Sequence, residues 1–373
     1  MRDLSRAFWI GAGLSIALLV VFVVTIDLGR MGRALAEANY LYLVPGVGLY
    51  LISVLFRTVR WQVLLRHMGS VPVRRLFPVV VVGYMANNLL PMRMGELVRS
   101  YYLGSREGLS KTSTLATILV ERVLDAVTLL LFIAVIGLFF PLTGLAQAFG
   151  DRYGVPWPLL VLALSVPFVA AFAALVFLAR FPERIDSATA TAVRLLPRAL
   201  RTPARNLVRL FHQGIAPLRD PKTLALLLLL SMPIWLFESA LFFLVGVGFG
   251  LRDSFDSLAE FAAANILVTA IANIGSSIPA APGGIGLFEL VARETLVLLP
   301  NASIDRAVAA GFAAVVHAAL LIPMIVLGQL FLWTGHVSLQ KLSRGAPDAS
   351  GAGAESLQVP SRGGISHESE EGG

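Results

Sequence analysis

Long apolar blocks separated by short polar stretches make up nearly the whole chain. Six blocks run without interruption, at about 8–26, 40–56, 115–140, 157–179, 223–250 and 304–333, each close to the roughly 20 residues that a helix needs to cross a hydrocarbon core. Two more, 76–103 and 258–299, are broken in the middle by Asn, Pro and Gly. The pattern predicts an all-α polytopic membrane protein of eight hydrophobic segments. The first block has no small-residue cleavage site followed by a soluble chain, so it reads as a retained span and not a removed signal peptide.

The polar stretches give the direction of each span. Arg57, Arg60, Arg66, Arg74 and Arg75 lie within 57–75 without an acid, and 180–222 holds nine basic residues against Glu183, Asp186 and Asp220. By contrast, 27–39 carries only Arg30 and Arg33, 141–156 only Arg152 and 251–257 only Arg252. Cytoplasmic loops accumulate Lys and Arg, so both termini are expected in the cytoplasm of a cell whose inner membrane holds the protein. Arg57 and Arg60, followed by Trp61, read as an interfacial anchor at a span end. With these directions, the first broken block enters and leaves on the cytoplasmic side and the second on the outer side. Two re-entrant hairpins of opposite hand result. Span, span, hairpin, span fills 8–140 and recurs reversed in 157–333, the inverted-topology repeat that transporters use around a midplane site.

Composition narrows the classes. With 57% hydrophobic and 14% charged residues, against about 25% charged in soluble domains, and a mean hydropathy of +0.78, a soluble globule is excluded. The net charge is +7, and 27 of the 30 basic residues are Arg; they gather in loops, which points to a membrane surface and away from nucleic acid. The absence of Cys excludes disulfides, thiolate metal sites and a Cys nucleophile. His67, His212, His317, His336 and His367 are scattered without metal-ligand spacing. No Gly-rich loop ends in Lys-Ser or Lys-Thr, so neither a metal, a cofactor nor ATP coupling is expected. Residues 336–373, rich in Gly, Ser and Glu, read as a disordered cytoplasmic tail after a transmembrane domain of 1–335. In 187–214 the series Arg194, Arg198, Arg201, Arg205 and Arg209 recurs beside Leu195, Leu200, Leu207 and Phe211. This is either a basic amphipathic stripe for an anionic leaflet or a loop that only sets orientation.

Charged side chains at membrane depth are costly and functional by default. Asp125 falls about 15 Å into its block at 1.5 Å per residue, and Glu238 and His317 fall near the middle of theirs. Glu121 and Asp125 share a helix face at i, i+4 with Arg122 beside them; the alternatives are a local ion pair and a proton path. The broken blocks add Asn87, Asn88, Arg93, Glu96 and Arg99 in the first, and Glu289, Arg293 and Glu294 in the second. Helix ends exposed at such breaks suit an anionic group, and Arg grips phosphate bidentately. The alternative is that Arg93, Glu96 and Arg99 pair among themselves and anchor the hairpin. Pro91 and Gly95, and Pro279, Pro282, Gly283, Gly284 and Gly286, supply the chain reversals.

Three motifs in this order, Asn87-Asn88-Leu89-Leu90-Pro91-Met92-Arg93-Met94-Gly95-Glu96, Glu121-Arg122-Val123-Leu124-Asp125 and Pro279-Ala280-Ala281-Pro282-Gly283-Gly284-Ile285-Gly286-Leu287-Phe288-Glu289, resemble the lysylphosphatidylglycerol synthase transmembrane region, a flippase-like family. The likeness spans about 8–335. In its bifunctional members this region moves an aminoacylated phospholipid between leaflets while a soluble domain synthesises it; no such domain follows Trp333 here, so lipid handling without synthase activity is implied. The expected partners are membrane lipids, an anionic phospholipid or a polyprenyl phosphate, and a separate lipid-synthesising enzyme. The leading expectation is a non-enzymatic lipid carrier. An intramembrane head-group transferase with Glu96 or Asp125 as general base, and a non-transporting scaffold, are the rivals.

Overall fold

The computed structural model describes residues 24–90, 94–140, 143–181, 197–277, 282–299 and 303–335, with residues 13, 17, 20–22 and 183 besides. Most of the first apolar block, Pro91, Arg93, Pro279 and the expected tail lie outside the described residues. Every regular element among the described residues is helical. In chain order the α-helices are α1 (Leu28–Glu37), α2 (Leu43–Leu65), α3 (Val73–Leu89), α4 (Gly95–Glu107), α5 (Lys111–Phe139), α6 (Thr143–Tyr153), α7 (Trp157–Arg180), α8 (Arg198–Ile215), α9 (Pro221–Gly248), α10 (Leu258–Gly275), α11 (Leu287–Val297) and α12 (Arg306–Thr334).

Their ends follow from the local sequence. Asp27, Ser110, Asp220, Ser257 and Asp305 each place a side-chain oxygen on the free N–H groups that open α1, α5, α9, α10 and α12, the usual means of satisfying a helix start. Pro221 at the first position of α9 loses no internal bond. Before α11, Gly283, Gly284 and Gly286 adopt φ of 64°, 74° and 88°, a left-handed series that a side chain would disfavour.

Among the described residues six helices are long and apolar enough to cross a membrane: Tyr40–Leu65, Lys111–Phe139, Val161–Arg180, Pro221–Gly248, Leu258–Gly275 and Arg306–Thr334. Five coincide with unbroken blocks. The sixth, α10, is the first arm of the second broken block, where the sequence predicts a re-entrant hairpin; at 18 residues it extends about 27 Å, close to a full hydrocarbon thickness. The break predicted after it is real, and α11 folds back against α10. In the first broken block α3 and α4 pack on each other in the same manner. A correction concerns the end of the second span: α2 continues through Arg57 and Arg60 to Leu65, so these arginines are core residues, 5% and 0% exposed. The sequence reading stopped the span at Phe56 because Arg is costly in lipid; acids on neighbouring helices remove that cost.

The central contact is between α2 and α9. Asn39 N–H donates to Gly248 O, Gly46 abuts Leu241, Arg57 meets Glu238 and Arg60 meets Ser231. Numbers rise on one helix as they fall on the other, so the two are antiparallel. Around this pair the packing recurs. Helix α12 lies on α1, α3 and α11, while α5 lies on α8, α10 and α4. Close approach is set by small residues: a side chain at Gly328 would run into Met85, and one at Gly214 into Ser113 and Ala116. On α7, Leu159, Val161, Leu162, Val166 and Val169 are exposed, as expected of a helix that faces lipid.

Candidate functional site

Inside the bundle a charge network joins four helices. Arg57 Nη2 lies 2.8 Å from Glu238 Oε2 and its Nη1 3.4 Å from Asp125 Oδ2. Arg60 Nη2 lies 2.8 Å from Asp125 Oδ1 and 3.9 Å from Glu121, and Arg60 Nη1 donates to Ser231 at 2.7 Å. Arg99 Nη1 reaches Glu121 Oε2 at 2.8 Å. Two of these guanidinium groups also sit over indole rings, Arg57 at 4.4 Å from Trp235 and Arg99 at 3.6 Å from Trp61. Three cations, Arg57, Arg60 and Arg99, thus oppose three acids, Glu121, Asp125 and Glu238, all nearly fully buried. Burying such charges is tolerated only when each is paired and hydrogen-bonded.

Arg122 differs from the other three. Its contacts are all long: 3.7 Å from Nε to Glu96 Oε1, 3.7 Å from Nη1 to Asp125 Oδ2 and 3.5 Å from Nη2 to the Tyr84 hydroxyl. A charge-assisted hydrogen bond runs about 2.7–2.9 Å, so none of these is one. Arg122 Nε and the nearby Asn87 Oδ1 are buried without a hydrogen-bond partner among the described residues, as are Nε and Nη2 of Arg60 and of Arg99, so it is the length of its ion-pair contacts that sets Arg122 apart. The Arg122 side chain keeps 27% exposure and borders open space.

That space is a cavity of about 170 Å³ where the two hairpins meet, bounded by Asn87 and Asn88 at the end of α3, by Gly283, Gly284 and Phe288 of the second hairpin, and by Arg57, Arg122, Glu238 and His317. Gly283 and Asn88 approach closely: a side chain on Gly283 would lie 3.4 Å from the carbonyl oxygen of Asn88. A second cavity of about 380 Å³ shares Arg122, Trp235, Asn273 and Ser276 with the first and continues between α5 and α7 past Leu129, Ala163, Pro167 and Phe168. One space is lined by guanidinium and amide groups, and the adjoining one by apolar side chains beneath a lipid-facing helix. No group of three or more metal-ligating side chains occurs among the described residues.

The sequence-predicted residues separate into four groups here. Asn87, Asn88, Arg122, Glu238 and His317 line the first cavity, and Arg122 and Asp125 the second. Glu96 and Arg99 do not pair with each other as the anchoring alternative supposes, since Arg99 bonds Glu121 and Glu96 lies near Arg122. Glu289 is a bridging residue: its Oε1 meets His317 Nδ1 at 2.7 Å and its Oε2 accepts the Gly286 N–H at 2.7 Å. Arg293 is sequestered, bonded to Glu294 at 2.7 Å and to Thr25 and Phe22 O, while Glu294 also holds Arg306. The local pair between Arg122 and Asp125 is outcompeted by Arg60 and Arg57.

Sequence reasoning missed Arg57, Arg60, Asn273 and Trp235 as site residues. Asn273 donates to Glu238 Oε1 at 2.9 Å and lines both cavities. Its signal was available: Asn273 closes the first arm of the second hairpin as Asn87 and Asn88 close that of the first.

The family model for the lysylphosphatidylglycerol synthase TM region matches residues 8–328. A UPF0104 membrane protein of Methanothermobacter thermautotrophicus is 27% identical over 285 residues, 73% of this chain and 80% of that one. Another, from Pyrococcus horikoshii, is 24% identical over 295 residues, 75% of this chain and 83% of its own. A shorter likeness, 27% over 129 residues, joins 34% of this chain to 21% of the glycosyltransferase AglD of Haloferax volcanii.

Proposed function

Since the chain belongs to the lysylphosphatidylglycerol synthase transmembrane-region family, we propose that it is a carrier that moves a phosphate-bearing lipid between leaflets, with Arg122 as the head-group ligand. The loosely held Arg122 guanidinium carries this reading: in a network whose other arginines each make a 2.8 Å contact to an acid, it alone meets its partners only at 3.5 Å or beyond. A phosphate entering the first cavity would replace these long contacts by bidentate ones, with Asn87 and Asn88 supplying further donors. The adjoining apolar cavity beneath α7 suits the hydrocarbon chain of the same molecule.

The two halves, α1 to α5 and α8 to α12, form an inverted repeat in this proposal. Support comes from the antiparallel α2–α9 pair and from the matching partners of α5 and α12. In the same proposal the cavity, which Asn88 and Gly283 both border, lies at the repeat interface, where alternating access needs it. In the same proposal both termini are cytoplasmic.

A head-group transferase is the second reading, favoured by the partial likeness to AglD. Asp125 gives it little support as a general base, being held by Arg60 and Arg57. Reconstitution decides between them: the carrier moves a labelled lipid unchanged across a vesicle membrane, and the transferase alters its mass.

A further inference from the structure

The hydrogen bonds of His317 fix how many protons it shares with Glu289. Its Nδ1 lies 2.7 Å from Glu289 Oε1, and its Nε2 lies 2.9 Å from the carbonyl oxygen of Gly283. A carbonyl oxygen only accepts, and so does a carboxylate, whereas a neutral imidazole has one N–H. Both bonds together therefore need one proton more than a neutral ring beside an ionised carboxylate provides. Glu289 Oε2 accepts the Gly286 N–H at 2.7 Å, which favours its ionised form and puts the extra proton on the ring. The imidazolium stacks on Phe288 at 4.3 Å and borders the first cavity.

Among the described residues no other buried acid requires this. Asp125 is ion-paired with Arg60 and Arg57 and Glu121 with Arg99, Glu238 takes donors from Arg57 and Asn273, and Glu294 from Arg293 and Arg306. Glu289 of α11 faces His317, and the titratable or charged groups that border the cavity with His317 are Tyr84 on α3, Tyr50 and Arg57 on α2, Glu238 on α9 and Arg122 on α5. None of α1 borders it; Arg30 of α1 pairs instead with Asp305, which caps α12.

We infer that the His317–Glu289 pair is a proton-binding site that couples protonation to the position of the second hairpin. This rests on the carrier reading. When the Nε2 proton passes to water in the cavity, the remaining ring proton stays on Nδ1 against Glu289. Nε2 then presents a lone pair to the Gly283 oxygen, so attraction becomes repulsion and the Gly283–Gly284 turn is released from α12. In the other direction, moving the turn away frees the Nε2 proton to leave. One proton is released for each opening, and no other group need change its charge.

Two measurements test this. In a protein with His67, His212, His336 and His367 replaced by Gln, His317 is the sole histidine, and nitrogen-15 spectra in lipid at pH 7 should show both ring nitrogens protonated. Glu289→Gln can satisfy the same bonds with a neutral ring, its amide donating to Nδ1 and its oxygen accepting from Gly286, so it should fold and yet show a single ring N–H. In vesicles with labelled lipid, an imposed pH difference should raise lipid movement severalfold in the wild type and leave Glu289→Gln and His317→Gln at their gradient-free rates. A neutral His317 ring in otherwise wild-type protein that moves lipid would overturn the proton site and leave the carrier standing. A doubly protonated ring in protein that moves no lipid would overturn the carrier and with it the coupling. A gradient response that survives in Glu289→Gln would also overturn the coupling.

Discussion

Arg57 of α2 and Glu238 of α9 meet at 2.8 Å with side chains 6% and 4% exposed, on the two helices that form the centre of the bundle. Each would be costly in lipid alone. Removing Arg57 leaves Glu238 without a cation, which costs about 3–5 kcal/mol in buried pairs, so Arg57→Ala should lower the thermal midpoint in detergent sharply. Arg57→Met combined with Glu238→Leu removes both charges and should recover much of the loss. An Arg57→Ala protein as stable as wild type would show that the pair is not structural.

The first hairpin closes on a glycine. A side chain on Gly95 would overlap the carbonyl oxygen of Gly83 and lie 2.5 Å and 2.6 Å from Asn87 Oδ1 and N. Gly95→Ala should therefore spread α3 from α4 and displace Asn87 from the cavity, at a cost of at least the 1–3 kcal/mol typical of overpacking. Gly48→Ala, where nothing lies within 4 Å, is the control and should behave as wild type in folded yield and lipid movement.

Much of this was legible in the sequence for definite reasons. Apolar runs located five of the six long helices among the described residues, and Pro-Gly breaks located both helix reversals, because both signals are local. Asn87, Asn88, Arg122, Glu238 and His317 were found because a polar residue in an apolar run stands out. The partners of Arg57 and Arg60 were not legible: Asp125 and Glu238 lie 68 and 181 residues from Arg57, and only the packing of α2 on α5 and α9 brings them together. Without those acids an Arg at a span end reads as an anchor. Arg122 had to be seen in space as well, since its importance lies in long contacts that no spacing reveals. Arg93, the phosphate ligand favoured by sequence, lies outside the described residues.

Orientation is open to direct chemical labelling, because the chain has no native Cys. Single Cys residues at Ser70, Gly108 and Asn206, all exposed, should react with an impermeant maleimide only from the cytoplasmic side. Those at Gly32, Asp151 and Asp256, also exposed, should react only from outside. Labelling of Gly108→Cys from outside would mean that the first hairpin crosses the bilayer and would break the inverted repeat.

The account stands or falls on whether Arg122 holds a lipid phosphate during movement between leaflets. The decisive measurement reconstitutes wild type, Arg122→Ala and Arg122→Lys into vesicles containing labelled anionic phospholipid or polyprenyl phosphate, and follows access of the label to an impermeant quencher. A hydrogen bond to a charged group contributes about 1.5–3 kcal/mol, so Arg122→Ala should slow wild-type movement by about 10- to 100-fold at about 1.4 kcal/mol per decade. Arg122→Lys should recover part of it, keeping the charge without the fork. Folded wild-type protein that accelerates no phosphate-bearing lipid, or an Arg122→Ala protein as fast as wild type, would contradict it.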